Sequence, residues 1–263
     1  MNDDALATCL RLAVPGLHSA ILFGSTLSPV TRKPTSIPDV FALVDDLDEA
    51  LARFGVSRLG RRLARGLAPA TIALGGEHTI AKLNLATPAQ VARALARLRD
   101  LSLAGRLAKK TRLLLARDDR SRFELAAFLD GATDAMVRAA TLGMPRHLSL
   151  DEASRRCFAL SYRAELRPER RTHLDARYDA FANDYRERYQ PRLAAVARAR
   201  GIDVIDGALI DHRPARVRAQ EARALTVLLW RGRLRALARW ARQPLLYRGW
   251  FPYLLGKLRR TWA

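Results

Sequence analysis

The chain has 263 residues, 49% of them hydrophobic, so it can bury a substantial core in two modest domains and is not disordered. Its formal charge of +20 and sequence pI of about 11.3 predict attraction to polyanions, either nucleic acid or an anionic bilayer. No apolar run approaches the ~18 residues that span a bilayer, and acids follow Met1 where a presequence would carry bases, so we expect a cytoplasmic protein.

The predicted elements begin with a helix over residues 4–13 and two short strands, 19–23 and 39–44. The first strand ends in Gly24-Ser25, where a missing side chain lets backbone amides approach a triphosphate and a hydroxyl can hydrogen-bond it. Asp39 opens the second strand, and one or two carboxylate oxygens there suffice to hold Mg²⁺ against substrate phosphates. A Gly-Ser pair is usually only a turn, but between these two strands it indicates a nucleotidyl-transfer site.

The following segments complete a predicted catalytic domain over residues 1–120. They are an Arg-rich helical connection over residues 47–67, a pair of strands over 70–74 and 79–85, and two helices over 88–101 and 103–115. Lys82 lies on the second strand of the pair. Only five of the 46 basic residues are lysines, so a lysine such as Lys82 stands out from the arginines as a compact point charge. An ordinary surface ammonium is the alternative.

Residues 121–212 form a predicted, almost wholly helical, second domain. Its helices cover residues 124–142, 150–160 and 174–200, with a break at Gly143-Met144-Pro145. Ser149 precedes two acids, which is typical of a helix start.

Residues 213–263 form a basic tail that contains all four tryptophans of the chain. Apolar residues from Val227 to Ala241 recur at three- and four-residue steps, and arginines do so on another face, so the tail predicts a basic amphipathic helix. The predicted contacts with an anionic membrane are Trp230, Trp240, Trp250, Arg231, Arg235 and Arg239. Packing of the apolar stripe on the helical domain and binding of nucleic acid are the alternatives.

Five short blocks of this sequence occur in the order seen in one enzyme family. They are Phe23-Gly24-Ser25, Pro38 to Asp46, Ile80 to Leu83, Leu103 to Lys109 and Leu160 to Arg167. In these blocks the chain resembles the mitochondrial translocator assembly and maintenance family, whose members are peripheral CDP-diacylglycerol synthases. The resemblance implies an α+β fold, with a nucleotidyltransferase domain of the DNA polymerase β superfamily, a mostly helical second domain and, here, the basic tail.

The resemblance also implies a reaction, in which CTP and phosphatidic acid give CDP-diacylglycerol and pyrophosphate at the cytoplasmic face of a membrane. Mg²⁺ is the implied cofactor. Asp39 and Lys82 would be catalytic, and Gly24, Ser25 and Lys82 would bind the nucleotide. Arg106, Lys109 and Arg167 are possible contacts of the substrate phosphates.

The sequence departs from this pattern in two places. The Trp-His pair that usually follows the Val-Asp-Asp block is missing, since the chain continues there as Leu47-Asp48-Glu49. Superfamily enzymes commonly place two acids two residues apart on one strand, whereas position 41 is Phe. Asp45 and Asp46 are therefore candidates for the second metal ligand, provided that a turn returns them to Asp39, because a straight strand would hold Asp45 ~20 Å away.

Three hypotheses follow from these patterns. The first is the CDP-diacylglycerol synthase. The second is a nucleotidyltransferase that acts on a soluble or nucleic-acid acceptor, with the tail as its nucleic-acid contact. The third is a non-catalytic scaffold with a decayed site, which the missing acid at position 41 suggests.

Overall fold

The structure is a computed structural model, and it describes residues 2–27, 37–75, 80–165 and 171–246. Within these residues the chain combines a five-stranded mixed sheet, a three-stranded sheet and helices. The predicted α+β class is confirmed. No helix of the described part is both long and apolar enough to cross a membrane.

The five-stranded sheet has the strand order β3-β4-β2-β1-β5. Its strands are β1 (Leu17–Phe23), β2 (Asp39–Val44), β3 (Ala70–Leu74), β4 (Ala81–Ala86) and β5 (Thr111–Ala116). Strands β2 and β4 are parallel, and the other neighbours are antiparallel. The end of β1, the starts of β2 and β4 and the start of β5 therefore share one end of the sheet.

Helices of the first half of the chain surround this sheet. They are α1 (Asp3–Ala13), α2 (Leu47–Arg53), α3 (Arg58–Gly66), α4 (Pro88–Leu95) and α5 (Leu101–Leu107), with 3₁₀ turns at Gly24–Leu27 and Ala96–Leu98. The predicted connection over 47–67 is thus two helices. Gly55 separates them, with a φ of +69° that favours glycine.

The second half is helical except for a small sheet. Its helices are α6 (Asp119–Thr141), α7 (Leu150–Arg163), α8 (Arg171–Asp179), α9 (Ala182–Ala199) and α10 (Ala215–Leu246). Ser149 caps α7 in a capping box with Glu152, as the sequence indicates. The strands β6 (His147–Ser149), β7 (Asp203–Ile205) and β8 (Ala208–Ile210) were not predicted, because three-residue strands are too short to show a period of two.

The predicted helix over 103–115 is wrong beyond Leu107. Residues 111–116 form the edge strand β5, which pairs with β1 from Phe23–Thr111 to Ser19–Ala116. The pairing overrides a leucine-rich local pattern that suits a helix as well as a strand.

Each face of the main sheet packs on its own apolar cluster. Along β2, Val40, Ala42 and Val44 contribute to the cluster beside α1, α2 and α3, whereas Phe41 and Leu43 contribute to the cluster beside α5, α6, α7 and α9. This alternation is what a strand requires. Odd-numbered residues of β2, including Asp39, therefore face the helical second half of the chain.

Candidate functional site

Gly24, Asp39 and Lys82 lie side by side at one end of the main sheet. In the register of the sheet, Phe23 pairs with Asp39 and Asp39 pairs with Lys82. Because neighbouring strands lie ~4.8 Å apart and paired residues share a face, the carboxylate and the ammonium belong to one surface. Ser25 follows in the 3₁₀ turn. The structure thus brings together the residues predicted to bind the nucleotide.

Gly24 makes the close approach of its backbone to Asp39 possible. A Cβ atom added at Gly24 would lie 3.0 Å from Oδ2 of Asp39, and the φ of Gly24 is +83°. Both the space and the backbone conformation favour glycine here. The Asp39 carboxylate therefore lies against the exposed backbone of Gly24.

Thr26 adds a polar group to the same turn. Its hydroxyl is covered and has no hydrogen-bond partner in the part of the chain that the structure describes. A buried hydroxyl without a partner is costly, and a phosphate oxygen at this turn would satisfy it. Sequence reasoning missed Thr26, because a threonine after Gly-Ser is common in turns.

Asp39 fits a metal ion that arrives with a nucleotide. Mg²⁺ commonly takes one or two carboxylates and completes its shell with phosphate oxygens and water. The second carboxylate of the superfamily pattern is replaced by Phe41, which is buried in the core. Among the described residues, no group of three acidic, histidine or cysteine side chains could hold an ion. A single carboxylate suits an ion whose other ligands are phosphate oxygens and water.

Asp45 and Asp46 lie at the opposite end of β2, so their assignment as metal ligands is corrected. Asp45 accepts a hydrogen bond from Arg117, and this bond raises the pKa of the guanidinium. Asp46 is the N-cap of α2, where its carboxylate accepts from the amides of Asp48 and Glu49. Because β2 runs straight to Val44, no turn returns these acids to Asp39.

Arg106 and Lys109 belong to a second cluster, in which α5 meets the end of α7. A Cβ at Gly105 would lie 2.7 Å from the Cα of Ser161, so these helices touch through their backbones. Nε of Arg106 lies 3.2 Å from Glu165, and the ammonium of Lys109 lies 3.6 Å above the ring of Tyr162. Two of the sequence blocks that carry the family resemblance are therefore packing partners.

This second cluster lies at the same end of the sheet as Asp39. Lys109 comes two residues before Thr111, which pairs with Phe23, and Phe23 pairs with Asp39 on its other side. Two lysines therefore lie on either side of Asp39. Lys82 is on the neighbouring strand β4, and Lys109 precedes β5, which lies two strands away on the other side. Arg167 lies outside the described residues.

The helix α10 has a buried face and an exposed face. Its exposed apolar side chains repeat the predicted stripe: Val227, Trp230, Leu234 and Leu237 are 49%, 57%, 59% and 53% exposed. Trp240 is 39% exposed, Arg231 is exposed and Arg235 is half-buried. Among the described residues, the buried face of α10 is a different one from this stripe. This disagrees with the alternative in which the stripe packs on the helical domain. Trp250 lies outside the described residues.

Arg239 is buried, so its predicted membrane contact is corrected. Its guanidinium lies 2.6 Å from Oδ2 of Asp100 and donates to the carbonyl of Ala68. Asp100 in turn caps α5 by accepting from the amide of Leu103. One turn on, Arg242 donates to the carbonyls of Leu63 and Pro69, and its burial lowers its pKa to about 10.

These buried arginines were missed by the sequence pattern. Arg235, Arg239 and Arg242 recur at helical steps, and only the fold shows that the last two point inward, where Asp100 and carbonyl groups meet them. A paired and hydrogen-bonded arginine can replace an apolar side chain in a core.

No protein-family model and no curated protein matches this sequence. Two solved structures show some likeness, and their descriptions are "Crystal structure the toxin-antitoxin MntA-HpeT mutant-D39ED41E" and "Crystal structure of the toxin-antitoxin with AMP-PNP". They are 19% and 18% identical to this chain, and each match covers 49% of this chain and 85% of the other. The TM-score is 0.28 in both cases.

Proposed function

We propose that the chain is a nucleotidyltransferase that joins CTP and phosphatidic acid to give CDP-diacylglycerol and pyrophosphate. The observation that carries the proposal is the row formed by Gly24, Asp39 and Lys82 at one sheet end. A bare backbone turn, a carboxylate and a point cation are what a transferable nucleoside triphosphate needs. The choice of nucleotide and acceptor follows the family resemblance of the five sequence blocks.

The reaction joins two anions, so the site has to offset their repulsion. An oxygen of the phosphatidate phosphate attacks the α-phosphorus of CTP, and the bond from that phosphorus to the bridging oxygen of the β-phosphate breaks. The acceptor oxygen is already anionic near neutral pH, so no general base is required. The electron pair leaves with pyrophosphate.

Each residue of the row has a role in this step. The backbone at Gly24-Ser25 and the Thr26 hydroxyl bind the triphosphate, and Lys82 stabilises the charge that develops on the transferring phosphoryl group. Asp39 would hold a Mg²⁺ that enters with CTP, and the ion would neutralise phosphate charge. The catalysis is then mainly positioning and electrostatics.

The acceptor side is supported by the neighbourhood of Lys109. Gly232 of α10 packs on Ala164, because a Cβ atom added at Gly232 would lie 3.3 Å from the Cβ of Ala164. The guanidinium of Arg233 donates to the carbonyl of Arg163. Glu165, which follows Ala164 just beyond the end of α7, binds Arg106. Helix α10, whose other face carries the exposed apolar stripe, therefore contacts the segment that binds Arg106. A phospholipid headgroup at Arg106 and Lys109 would leave its acyl chains near that stripe, so we propose a peripheral position on the cytoplasmic face of the membrane.

The test uses CTP labelled at the α-phosphate, Mg²⁺ and vesicles that contain phosphatidic acid. The proposal predicts label in the lipid phase that requires both the lipid and Mg²⁺, with release of unlabelled pyrophosphate. Parallel reactions replace phosphatidic acid with phosphatidylglycerol or with RNA. Label in RNA alone would replace the proposal with the nucleic-acid hypothesis, and no transfer to any acceptor by folded protein would favour the scaffold.

A further inference from the structure

Exposed apolar side chains are concentrated on two helices of the described part of the chain. Thirteen large apolar side chains are exposed there, and eight of them lie on α3 and α10. On α3 these are Leu59 and Leu63, which are 59% and 42% exposed. Such a concentration marks an interaction surface, whereas isolated exposed leucines are ordinary.

The two helices are in contact, and the contact brings exposed residues of both helices close together at the crossing. At their crossing, a Cβ at Gly60 would lie 2.9 Å from the carbonyl oxygen of Leu245, a residue that is itself 43% exposed. Arg242 donates to the carbonyl of Leu63 at 3.2 Å. Leu59 and Leu63 flank Gly60, and they therefore lie beside the exposed end of α10.

The charge of this surface has one sign. Neither α3 nor α10 beyond Glu221 contains an acidic residue. Arg58 and Arg62 are exposed one helical step from the Leu59 and Leu63 stripe, and Arg231 is exposed beside the stripe of α10. The apolar stripes are thus bordered by arginines, as in helices that lie in the headgroup layer of a membrane.

We propose that α3 and α10 together form one docking surface for an anionic lipid bilayer, with Leu59 and Leu63 as anchors in addition to the tail. A second copy of the chain fits poorly, because pairing the stripes of two α10 helices would set arginine against arginine. Nucleic acid would use the arginines but would gain nothing from exposed leucines. An anionic bilayer uses both, because its headgroups attract the arginines and its acyl chains accept the leucines.

The proposal rests on the proposed function only in its choice of a lipid partner, so binding is measured without CTP and without phosphatidic acid. The variant is Leu59→Ser with Leu63→Ser, which keeps every charge. The matched control is Leu12→Ser with Phe123→Ser. It removes two apolar side chains that are more exposed than those of α3, at 79% for Leu12 on α1 and 73% for Phe123 on α6. Thermal unfolding verifies that both variants remain folded.

In sedimentation with phosphatidylglycerol vesicles, the α3 variant should bind on the order of 10-fold more weakly or worse, because two apolar side chains no longer enter the bilayer. The control should bind like the wild type. Equal binding by the α3 variant and the wild type would overturn the proposal, as would failure of the wild type to bind. Loss of a dimer in analytical ultracentrifugation, without a change in vesicle binding, would assign the surface to a second copy.

A site-specific probe keeps the proposal falsifiable if the double variant unfolds. The variant Leu63→Cys carries an NBD fluorophore in a Cys9→Ser background, and Cys157 stays unlabelled because it is buried, which also raises its pKa. The emission should shift to the blue when vesicles are added, and the same label at position 12 should not respond. No shift at position 63 under conditions where the protein sediments with vesicles would exclude α3 from the surface.

Discussion

The two ends of β2 carry the same kind of residues in different surroundings. At one end Asp39 lies against Gly24, which has a φ of +83°, and at the other Asp45 lies against Gly16, which has a φ of +60°. Asp45 is bound by Arg117, and Asp46 caps α2. Asp39 shares its row with Lys82 and with a turn in which the Thr26 hydroxyl finds no hydrogen-bond partner among the described residues. The comparison shows that the residue type alone does not make a carboxylate a candidate metal ligand. The groups that the neighbouring strands place beside it decide this.

The largest expected difference in activity is between variants that remove the carboxylate charge at one end of β2 or at the other. Asp39→Asn should lower the transfer of label from CTP to lipid by at least on the order of 10³-fold, because several kcal/mol of charge stabilisation depend on this carboxylate. Asp45→Asn makes the same change at the opposite end of β2, away from the proposed site, and should retain activity. Equal losses in the two folded variants would break the comparison.

Lys82 sharpens the account of the Asp39 end. Lys82→Ala should lower turnover on the order of 10²-fold, as expected for the loss of a preorganised charge at a transferring phosphoryl group. Lys82→Arg should recover little, because a planar guanidinium does not reproduce a point charge. Steady-state kinetics measure both variants. Full activity of Lys82→Ala would assign this lysine to the ordinary surface.

The two glycines give the smallest expected effect and the closest control. Alanine at either position is strained by about 1–3 kcal/mol, because both have positive φ. Only Gly24→Ala also places a methyl group 3.0 Å from Oδ2 of Asp39, whereas Gly16→Ala finds its nearest neighbour 3.4 Å away. We expect on the order of a 10-fold loss of turnover from Gly24→Ala and a much smaller one from Gly16→Ala. Urea unfolding should show that the two variants lose similar stability.

Much of the row at the site could be predicted from sequence, because it depends on short-range patterns. A strand that ends in Gly24-Ser25 and a strand that begins with Asp39 are visible as apolar runs with a turn between them. The sequence does not contain the register, which alone places Lys82 beside Asp39. The functional role of Lys82 is predicted instead from the scarcity of lysine in the chain and from the family resemblance.

The errors had a different origin, since they depended on tertiary contacts. Thr111–Ala116 has the composition of a helix, and only its pairing with β1 makes it a strand. Arg239 shares a helical repeat with exposed arginines, and only the position of Asp100 shows that it is buried. Patterns of period 3.6 give the faces of a helix but not which face is covered.

The central claim is that the Asp39 end of β2 binds the phosphates of a nucleotide. Titration calorimetry with a non-hydrolysable CTP analogue, with and without Mg²⁺, tests this claim without an acceptor. The account predicts Mg²⁺-dependent binding by the wild type and by Asp45→Asn, and binding by Asp39→Asn that no longer responds to Mg²⁺. Mg²⁺-dependent binding of undiminished affinity by Asp39→Asn would contradict it.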